Sequence, residues 1–271
     1  MAGSRQDDAS QGIEGAAVRI TNPQGASRFV IACEHASNFI PPQFGALGLS
    51  NAERQMHIAW DPGALPVARR MAEILDAPLV ESCVSRLVID CNRPLDAPDL
   101  IPELSETTVI PGNRGLSLAE RQARIAASWT PFHDALSGLI ADRQAGGGQP
   151  ALVTIHSYTP VWKGVPRPWH AGIIHDDDDR LALPLIAALQ TISGLCVGIN
   201  EPYAPKDRVY FTLERHARPL GLECVMVEIR NDEIASPASQ QKWAETLTKA
   251  LADTRSAARP DTVNSGSRKH A

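Results

Sequence analysis

The sequence predicts an α/β fold, in which a sheet of buried strands is covered by helices. Short runs rich in valine and isoleucine, typical of buried strands, recur along the chain. Segments that carry helix-start signals lie between these runs, and this alternation is typical of α/β domains. No internal repeat and no clear linker interrupts the pattern. We therefore expect a single domain over residues 16–255.

Seven apolar runs are predicted to be strands. They cover residues 28–33, 78–83, 87–91, 151–155, 171–174, 195–199 and 224–229. Four helices are predicted from capping and stop signals, over residues 61–76, 117–144, 178–193 and 236–253. The clearest start is Ser117, which precedes Glu120 by the three residues of a capping box. Residues 1–15 and 256–271 are small, polar and aperiodic, so we expect flexible tails there.

Composition and charge argue against several classes of function. The 271 residues carry a formal net charge of -5, whereas nucleic-acid-binding proteins usually present a basic surface. No apolar run approaches the roughly 18 residues of a membrane span, and the N-terminus lacks the apolar region of a signal peptide. The five scattered cysteines are expected to be free thiols, most of them buried. We expect a cytoplasmic protein that binds neither nucleic acid nor membrane.

Polar residues of a particular kind follow several of the predicted strands. In open α/β sheets, ligands bind beyond the carboxyl ends of the strands, where these side chains would meet. His35 and His156 suit a catalytic zinc ion, which takes about three protein ligands and keeps one position for water. Glu228 suits proton transfer from that water to a leaving nitrogen. Arg93 and Arg230 suit a substrate carboxylate. The pattern predicts metal-assisted hydrolysis.

Each of these residues also has an ordinary structural explanation. A histidine at a strand end is often only hydrogen-bonded within the fold, and Glu228 could form an ion pair with Arg230. Asn92 and Arg93, followed by proline, could form a turn, and Asp61 could cap the helix that follows it. The run HDDDDR at 175–180 is interpreted as a solvated helix start, because four adjacent aspartates point in different directions.

Six motifs together resemble the N-formylglutamate amidohydrolase family. They are CEHASNFIPP, IAWDPGA, SRLVIDCNRP, IHSYTP, EPYAPKDRVYFTLERHA and VEIRND, in the expected order from about residue 31 to 232. The resemblance implies a three-layer α/β/α fold with a mixed, mostly parallel sheet, as in zinc carboxypeptidases and related phosphorylases and hydrolases. It also implies a zinc-dependent amidohydrolase whose typical substrate is N-formyl-L-glutamate, a small anionic N-acyl amino acid.

The resemblance also assigns roles to individual positions. His35 and His156 match the family's metal histidines, and Glu228 matches the general base. Asn92 and Arg93 match the pair that holds the substrate carboxylate in the wider fold. Arg86 and Arg230 lie in segments similar to the family's, and we expect them to assist in binding the substrate.

The third metal ligand is left open by one departure from the pattern. The wider fold usually has a glutamate three residues after the first histidine, where this chain has Asn38. An amide oxygen is a weaker zinc ligand than a carboxylate. Either Asn38 serves, or Asp61 completes the site. The segment 200–211, with Tyr203, Lys206 and Tyr210, is a candidate lid.

Three functions are compatible with these motifs. The first is hydrolysis of N-formyl-L-glutamate with zinc as cofactor. The second is an amidase or deacylase that acts on another N-acyl amino acid or on a peptide, since selectivity would lie in the long loops 94–116 and 157–170. The third is a binding or sensing protein that has lost the metal, an alternative that Asn38 keeps open.

Overall fold

The computed structural model describes residues 15–257. The tails expected at 1–15 and 256–271 lie outside these residues, apart from Gly15 and the last two residues of the final helix. The division into two tails and one domain over 16–255 therefore stays a prediction.

The described residues form a central sheet of seven strands and two small hairpins. In chain order the strands are β1 Val18–Thr21, β2 Phe29–Cys33, β3 Leu79–Ser82, β4 Leu104–Ser105, β5 Thr108–Val109, β6 Ala151–Tyr158, β7 Val161–Trp162, β8 Val165–Pro166, β9 Ala171–Ile174, β10 Val197–Ile199 and β11 Cys224–Arg230. The sheet order is β1-β3-β2-β6-β11-β9-β10, while β4 pairs with β5 and β7 with β8. Strands β3, β2, β6 and β11 run parallel, as do β9 and β10. Only the pairs β1–β3 and β11–β9 are antiparallel within this sheet.

Helices cover both faces of the sheet. They are α1 Asn51–Gln55, α2 Ala64–Leu75, α3 Leu118–Arg124, α4 Thr130–Ala145, α5 Ala182–Gln190, α6 Phe211–His216 and α7 Pro237–Ala257. Helices α2, α5 and α7 pack on one face, and α4 and α6 pack on the other. This is the three-layer α/β/α architecture with a mixed, mostly parallel sheet that the family resemblance implies. Among the described helices, none is long and apolar enough to cross a membrane.

Strand β2 shows why an unbroken apolar run forms the centre of the sheet. Side chains alternate between the two faces of a strand. Phe29, Ile31 and Cys33 belong to the core under α2, α5 and α7, whereas Val30 and Ala32 belong to the core under α4 and α6. Both faces of the strand are therefore covered, and a strand buried on both sides needs no polar position.

One of the seven predicted strands is wrong. Residues 87–91 form turns, with the amide of Val88 bonded to the carbonyl of Ser85 and the amide of Asp90 bonded to that of Leu100. Leu87, Val88 and Ile89 are nevertheless buried, in a third apolar cluster built by the connections around residues 40–116. The apolar run indicates burial here, and not the extended backbone of a strand.

The helix-start signals are confirmed in part. Ser117 Oγ accepts a bond from the amide of Glu120 at 3.3 Å, and the Glu120 carboxylate accepts one from the amide of Ser117 at 2.8 Å. Helix α7 begins at Pro237, as expected. Helix α2 begins three residues after Asp61, with Gly63 as its N-cap. The short elements β1, α1 and α6 and the two hairpins are not predicted by the sequence patterns.

Candidate active site

Three strands bring polar side chains to one edge of the sheet. Strand β2 ends one residue before Glu34 and two before His35, and β6 carries His156. Glu228 lies on β11 and pairs directly with His156 in the parallel register of the two strands. The sheet therefore brings together the two histidines and the glutamate that the sequence singles out, because the carboxyl ends of parallel neighbours share an edge.

His35, Asp61 and His156 form a buried group that could hold a metal ion. Asp61 Oδ2 lies 3.3 Å from His35 Nδ1 and 3.0 Å from His156 Nδ1. In a tetrahedral zinc site with bonds of about 2.1 Å, neighbouring ligand atoms are about 3.4 Å apart. The donor set and its spacing therefore fit a zinc ion.

Two further carboxylates contact the outer nitrogens of these histidines. Asp90 Oδ1 lies 2.7 Å from His35 Nε2, and Glu34 Oε2 lies 3.2 Å from His156 Nε2. A carboxylate at the outer nitrogen fixes the orientation and tautomer of a metal-binding histidine and increases its basicity. Asp90 comes from the buried turn segment around 87–91, so this segment supports the site even though it is not a strand.

The charges of the group favour a cation among the carboxylates. Burial raises the pKa of Asp61, but His35 and His156 outweigh this effect and hold that pKa well below its usual value. Burial lowers the pKa of His156, but Glu34 and Asp61 raise it well above its usual value. Glu34 is buried and its pKa is lowered, chiefly by His156 acting against the effect of burial. Positive charge is stabilised at this position.

Asp61 belongs to the site and does not cap α2. Its amide bonds to the carbonyl of His35 at 2.9 Å, and its Oδ2 accepts a bond from the amide of Ser157 at 3.2 Å. The turn that follows needs Gly63, whose φ is +82°. The Cβ atom of any other residue at this position would lie 2.6 Å from the carbonyl oxygen of Ile234. This tight turn lets Asp61 reach the histidines while α2 starts behind it.

Asn38 lies apart from this group. Its Nδ2 donates to the carbonyl of Arg54 at 3.0 Å and to Gln55 Oε1 at 3.0 Å, both at the end of α1. The amide therefore ties the chain after β2 to α1. The structure brings Asp61, and not Asn38, to the two histidines.

Glu228 is a buried carboxyl group beside the same group of residues. It is 5% exposed, and its Oε2 has no hydrogen-bond partner among the described residues. Burial raises its pKa to about 7, with a further contribution from Asp61. A carboxyl group with such a pKa is suited to take up and release a proton near neutral pH. The alternative of an ion pair between Glu228 and Arg230 does not hold, because Arg230 pairs with Asp232 and Glu233.

A cavity of about 560 Å³ opens over these residues. Its walls include parts of the three segments for which the sequence suggests a role in selectivity or as a lid: 94–116, 157–170 and 200–211. The side chains that they contribute include Asp99, Glu106, Trp162, Arg167 and Tyr203. These loops therefore enclose the space beside His35, Asp61 and His156, the group that could hold a metal, in which a substrate would lie.

Three of the four expected substrate-binding residues, namely Arg86, Asn92 and Arg93, line this cavity. Arg86 lies in the wall and bonds to Asp90 Oδ2 at 2.6 Å and to Asp61 Oδ1 at 3.5 Å. Arg93 lies in the wall and bonds through Nε to Asp99 at 2.8 Å and through Nη1 to the carbonyl of residue 92 at 2.9 Å. Its Nη2 has no partner in the part of the chain that the structure describes.

Asn92, although it lines the cavity, and Arg230, which does not, have their polar groups bonded within the protein. The Asn92 side chain donates to the carbonyl of Val209 and accepts from the amide of Thr212 at 3.0 Å, so it anchors the start of α6. Arg230 bonds to Asp232 at 2.8 Å and Glu233 at 3.0 Å and does not line the cavity. Its Nη1 also contacts three carbonyl oxygens of residues 167–169.

Sequence reasoning gives no role to Asp90 in holding a histidine and does not single out Arg167. Asp90 lies within the run 87–91 that predicts a strand, and its contact with His35 spans 55 positions. Arg167 lies within a segment rich in tryptophan and basic residues, and that composition is the only local signal for it.

Comparison with known proteins identifies the family of the chain and agrees with its fold. Residues 27–235 match the N-formylglutamate amidohydrolase family. A crystal structure of a gene product from Agrobacterium tumefaciens has a TM-score of 0.88 and 46% identity, covering 90% of this chain and 96% of that chain. N-formylglutamate amidohydrolase from Ralstonia eutropha, at 19% identity, shares the fold with a TM-score of 0.66 over 89% of this chain and 99% of that one. No curated protein has a significant sequence match to the chain. The family match covers most of the sequence, and the chain therefore belongs to the N-formylglutamate amidohydrolase family.

Proposed function

We propose that this protein is a metal-dependent amidohydrolase that cleaves a small N-acyl amino acid, with N-formyl-L-glutamate as the substrate that fits best. The observation that carries the proposal is the convergence of His35, Asp61 and His156 beside the unpaired carboxyl group of Glu228 in one cavity. Family membership supports the type of reaction. The products would be formate and L-glutamate.

His35 and His156 would hold the metal through Nδ1, and Asp61 would hold it through Oδ2. The bound ion, which we propose to be zinc, supplies a water of lowered pKa and polarises the acyl carbonyl. Glu34 and Asp90 keep the two histidine rings oriented through their outer nitrogens. The metal ligands are thus held in place by hydrogen bonds and ion pairs.

Glu228 would act as the general base. Its unpaired oxygen is buried beside the metal-competent group, so the carboxylate can take a proton from the attacking water. The same carboxyl group then gives that proton to the leaving amide nitrogen. Its raised pKa, close to neutrality because of burial, suits both directions of transfer.

Arg93 would bind the α-carboxylate of the amino acid. Its Nη2 is free of protein partners among the described residues, whereas Arg86 is committed to Asp61 and Asp90. Arg86 therefore supports the metal ligands more than it contacts the substrate. We propose that Asn92 and Arg230 act indirectly, by anchoring α6 and the loop at 167–169.

The test is hydrolysis of a panel of N-formyl, N-acetyl and longer N-acyl amino acids, with and without a chelator. Glu228→Gln is expected to keep stoichiometric zinc but to lower turnover of N-formyl-L-glutamate by at least about a hundredfold, because the proton acceptor is lost. Glu245→Gln, which changes an exposed glutamate on α7, is the matched control and is expected to leave turnover unchanged.

Two results would contradict the proposal. Turnover by Glu228→Gln at the rate of the unaltered protein would exclude Glu228 as the base. Absence of zinc together with no hydrolysis of any N-acyl amino acid, even after zinc is added back, would favour the binding or sensing function instead.

A further inference from the structure

Arg167 lies in a cage of aromatic rings on the wall of the cavity. Its guanidinium carbon is 4.9 Å from the ring centre of Tyr203, 5.1 Å from that of Trp162 and 5.5 Å from that of Tyr158. The residue is only 8% exposed, and it is one of the cavity's lining residues. Aromatic faces stabilise a guanidinium group while leaving its N–H edge free to bind a planar anion.

Arg167 differs from the other two arginines in the cavity because it has no acidic partner. Arg86 lies within 4.0 Å of two carboxylates and Arg93 of one, but no described carboxylate lies within that distance of Arg167. Within residues 15–257 its guanidinium makes one long hydrogen bond, of 3.5 Å from Nη1 to the carbonyl of Thr159, and the Tyr203 hydroxyl lies beside it. None of its nitrogens is both buried and without a partner among the described residues, so the remaining N–H groups are accessible, and the residue lines the cavity.

The loop that carries Arg167 is held firmly. The amide of Arg167 bonds to the carbonyl of Pro160 at 2.8 Å, and the Tyr158 hydroxyl donates to the carbonyl of Trp169 at 2.6 Å. Arg230 Nη1 donates to the carbonyl of Arg167 at 3.2 Å. A guanidinium group that is caged and held at its main chain is preorganised, so little conformational entropy is lost when it binds a ligand.

We propose that Arg167, assisted by the hydroxyl of Tyr203, binds the side-chain carboxylate of the substrate and so restricts the enzyme to acidic N-acyl amino acids. This inference rests on the proposed hydrolysis of N-acyl amino acids. Burial raises the pKa of Tyr203, so its hydroxyl stays protonated and can donate to the same carboxylate. With Arg93 at the α-carboxylate, the cavity offers one guanidinium for each carboxylate of a dicarboxylic amino acid.

A site built to bind a charged group rejects an isosteric analogue that lacks the charge, because its buried donors then lose their partner. The test therefore compares N-formyl-L-glutamate with N-formyl-L-glutamine, which has nearly the same shape and no side-chain charge. The variants are Arg167→Met and Arg167→Lys, each loaded with zinc. Lys163→Met is the control, because it removes a positive charge from the same loop, where Lys163 is exposed and does not line the cavity.

Arg167→Met is expected to lower kcat/KM for N-formyl-L-glutamate by at least about thirtyfold, mainly through KM, since a buried charge-assisted contact is lost. The value for N-formyl-L-glutamine should fall far less, so that selectivity disappears. Arg167→Lys should keep only part of the selectivity for N-formyl-L-glutamate, because an ammonium group lacks the planar fork of donors. Lys163→Met should keep the selectivity of the unaltered protein.

Equal losses for both substrates would overturn the inference, since they would indicate a structural role for Arg167. The inference would also fail if the unaltered enzyme showed no preference for N-formyl-L-glutamate over N-formyl-L-glutamine. If no N-acyl amino acid is hydrolysed, the proposed function fails, and binding of the same two compounds is measured by calorimetry instead. Tighter binding of the dicarboxylate that depends on Arg167 would then support the subsite, and equal binding would reject it.

Discussion

Two pairs of buried histidines lie in the described part of the protein, and their surroundings differ. In both pairs the ring centres are 5.0 Å apart. His35 and His156 meet edge to face, with an angle of 68° between the rings, whereas His133 and His216 are stacked at 17°. The first pair faces a cavity and the second is enclosed by side chains of α4 and α6.

The neighbours of the two pairs have different charges. The first pair contacts three carboxylates, those of Glu34, Asp61 and Asp90. In the second pair, His133 Nδ1 lies 2.7 Å from His216 Nε2, and the outer nitrogens contact the carbonyl of Cys91 and the hydroxyl of Ser137. These contacts satisfy a neutral pair of rings and offer no carboxylate to a cation.

The difference teaches that the partners of a buried histidine, and not its burial, decide its chemistry. Burial by itself disfavours the charged form of a histidine ring. It is the main reason why the pKa of His133 is lowered to about 3 and that of His216 to about 4. The carboxylates around His156 reverse that effect and raise its pKa. The first pair therefore lies in surroundings that could hold a cation, and the second is part of the packing between helices.

The same substitution in the two pairs is expected to give the largest difference. His156→Gln should lose stoichiometric zinc and at least about a hundredfold in kcat/KM. Even the loss of a group that only hydrogen-bonds a metal ligand typically lowers metal affinity or activity by about 10–100-fold. His216→Gln should keep its zinc and most of its activity, because His216 does not line the cavity. Metal analysis and kinetics on N-formyl-L-glutamate measure both. Loss of zinc from the His216 variant would show that the two pairs are coupled.

Removing a carboxylate partner of the first pair is expected to have a smaller effect. Asp90→Asn should weaken zinc binding by about 10–100-fold, because the amide no longer fixes and polarises the His35 ring. Competition with a chelator measures the affinity. Asp99→Asn is the control, since Asp99 lines the same cavity but pairs with Arg93. An unchanged affinity in Asp90→Asn would mean that His35 does not depend on this contact.

In the second pair the expected effect is on stability. His216→Phe leaves the buried Nδ1 of His133 without its partner, so the free energy of unfolding should fall by about 1–3 kcal/mol. Ser137→Ala removes only the weaker contact and should cost less. Urea unfolding of zinc-loaded protein at pH 7 measures both. If Ser137→Ala lowered the free energy of unfolding more than His216→Phe does, the contact between the two histidines would not be the main one.

The smallest expected effect is a pH dependence of that stability. The folded-state pKa of His216 is lowered to about 4, whereas the unfolded chain binds the proton near pH 6.5. Between these values the unfolded state holds more protons, so the stability that the neutral ring contributes is complete above pH 6.5 and is lost as the pH falls. The difference in unfolding free energy between the unaltered protein and His216→Phe should therefore shrink from pH 7 to pH 5. A constant difference would mean that the pKa of His216 is the same in the folded and the unfolded protein.

Local patterns in the sequence predict most of the sheet and the residues at its edge. Six of the seven predicted strands are present, because an unbroken apolar run is what a strand buried on both faces requires. His35, His156 and Glu228 meet as expected, since the carboxyl ends of parallel neighbouring strands share an edge. These conclusions need only the order of residues along the chain and the pairing of the strands.

Only the tertiary structure decides which residues complete the site. Asp61 and not Asn38 reaches the histidines, through a contact between residues 95 positions apart. Asp90 contacts His35 from a turn, Arg230 bonds to its own loop outside the cavity, and Arg167 lines the cavity. Each of these outcomes depends on long-range packing of loops, for which periodicity and spacing carry no signal. The sequence by itself thus determined the sheet and the polar residues at its edge, while the packing of the loops decided that Asp61 joins the two histidines and that Arg167 lines the cavity.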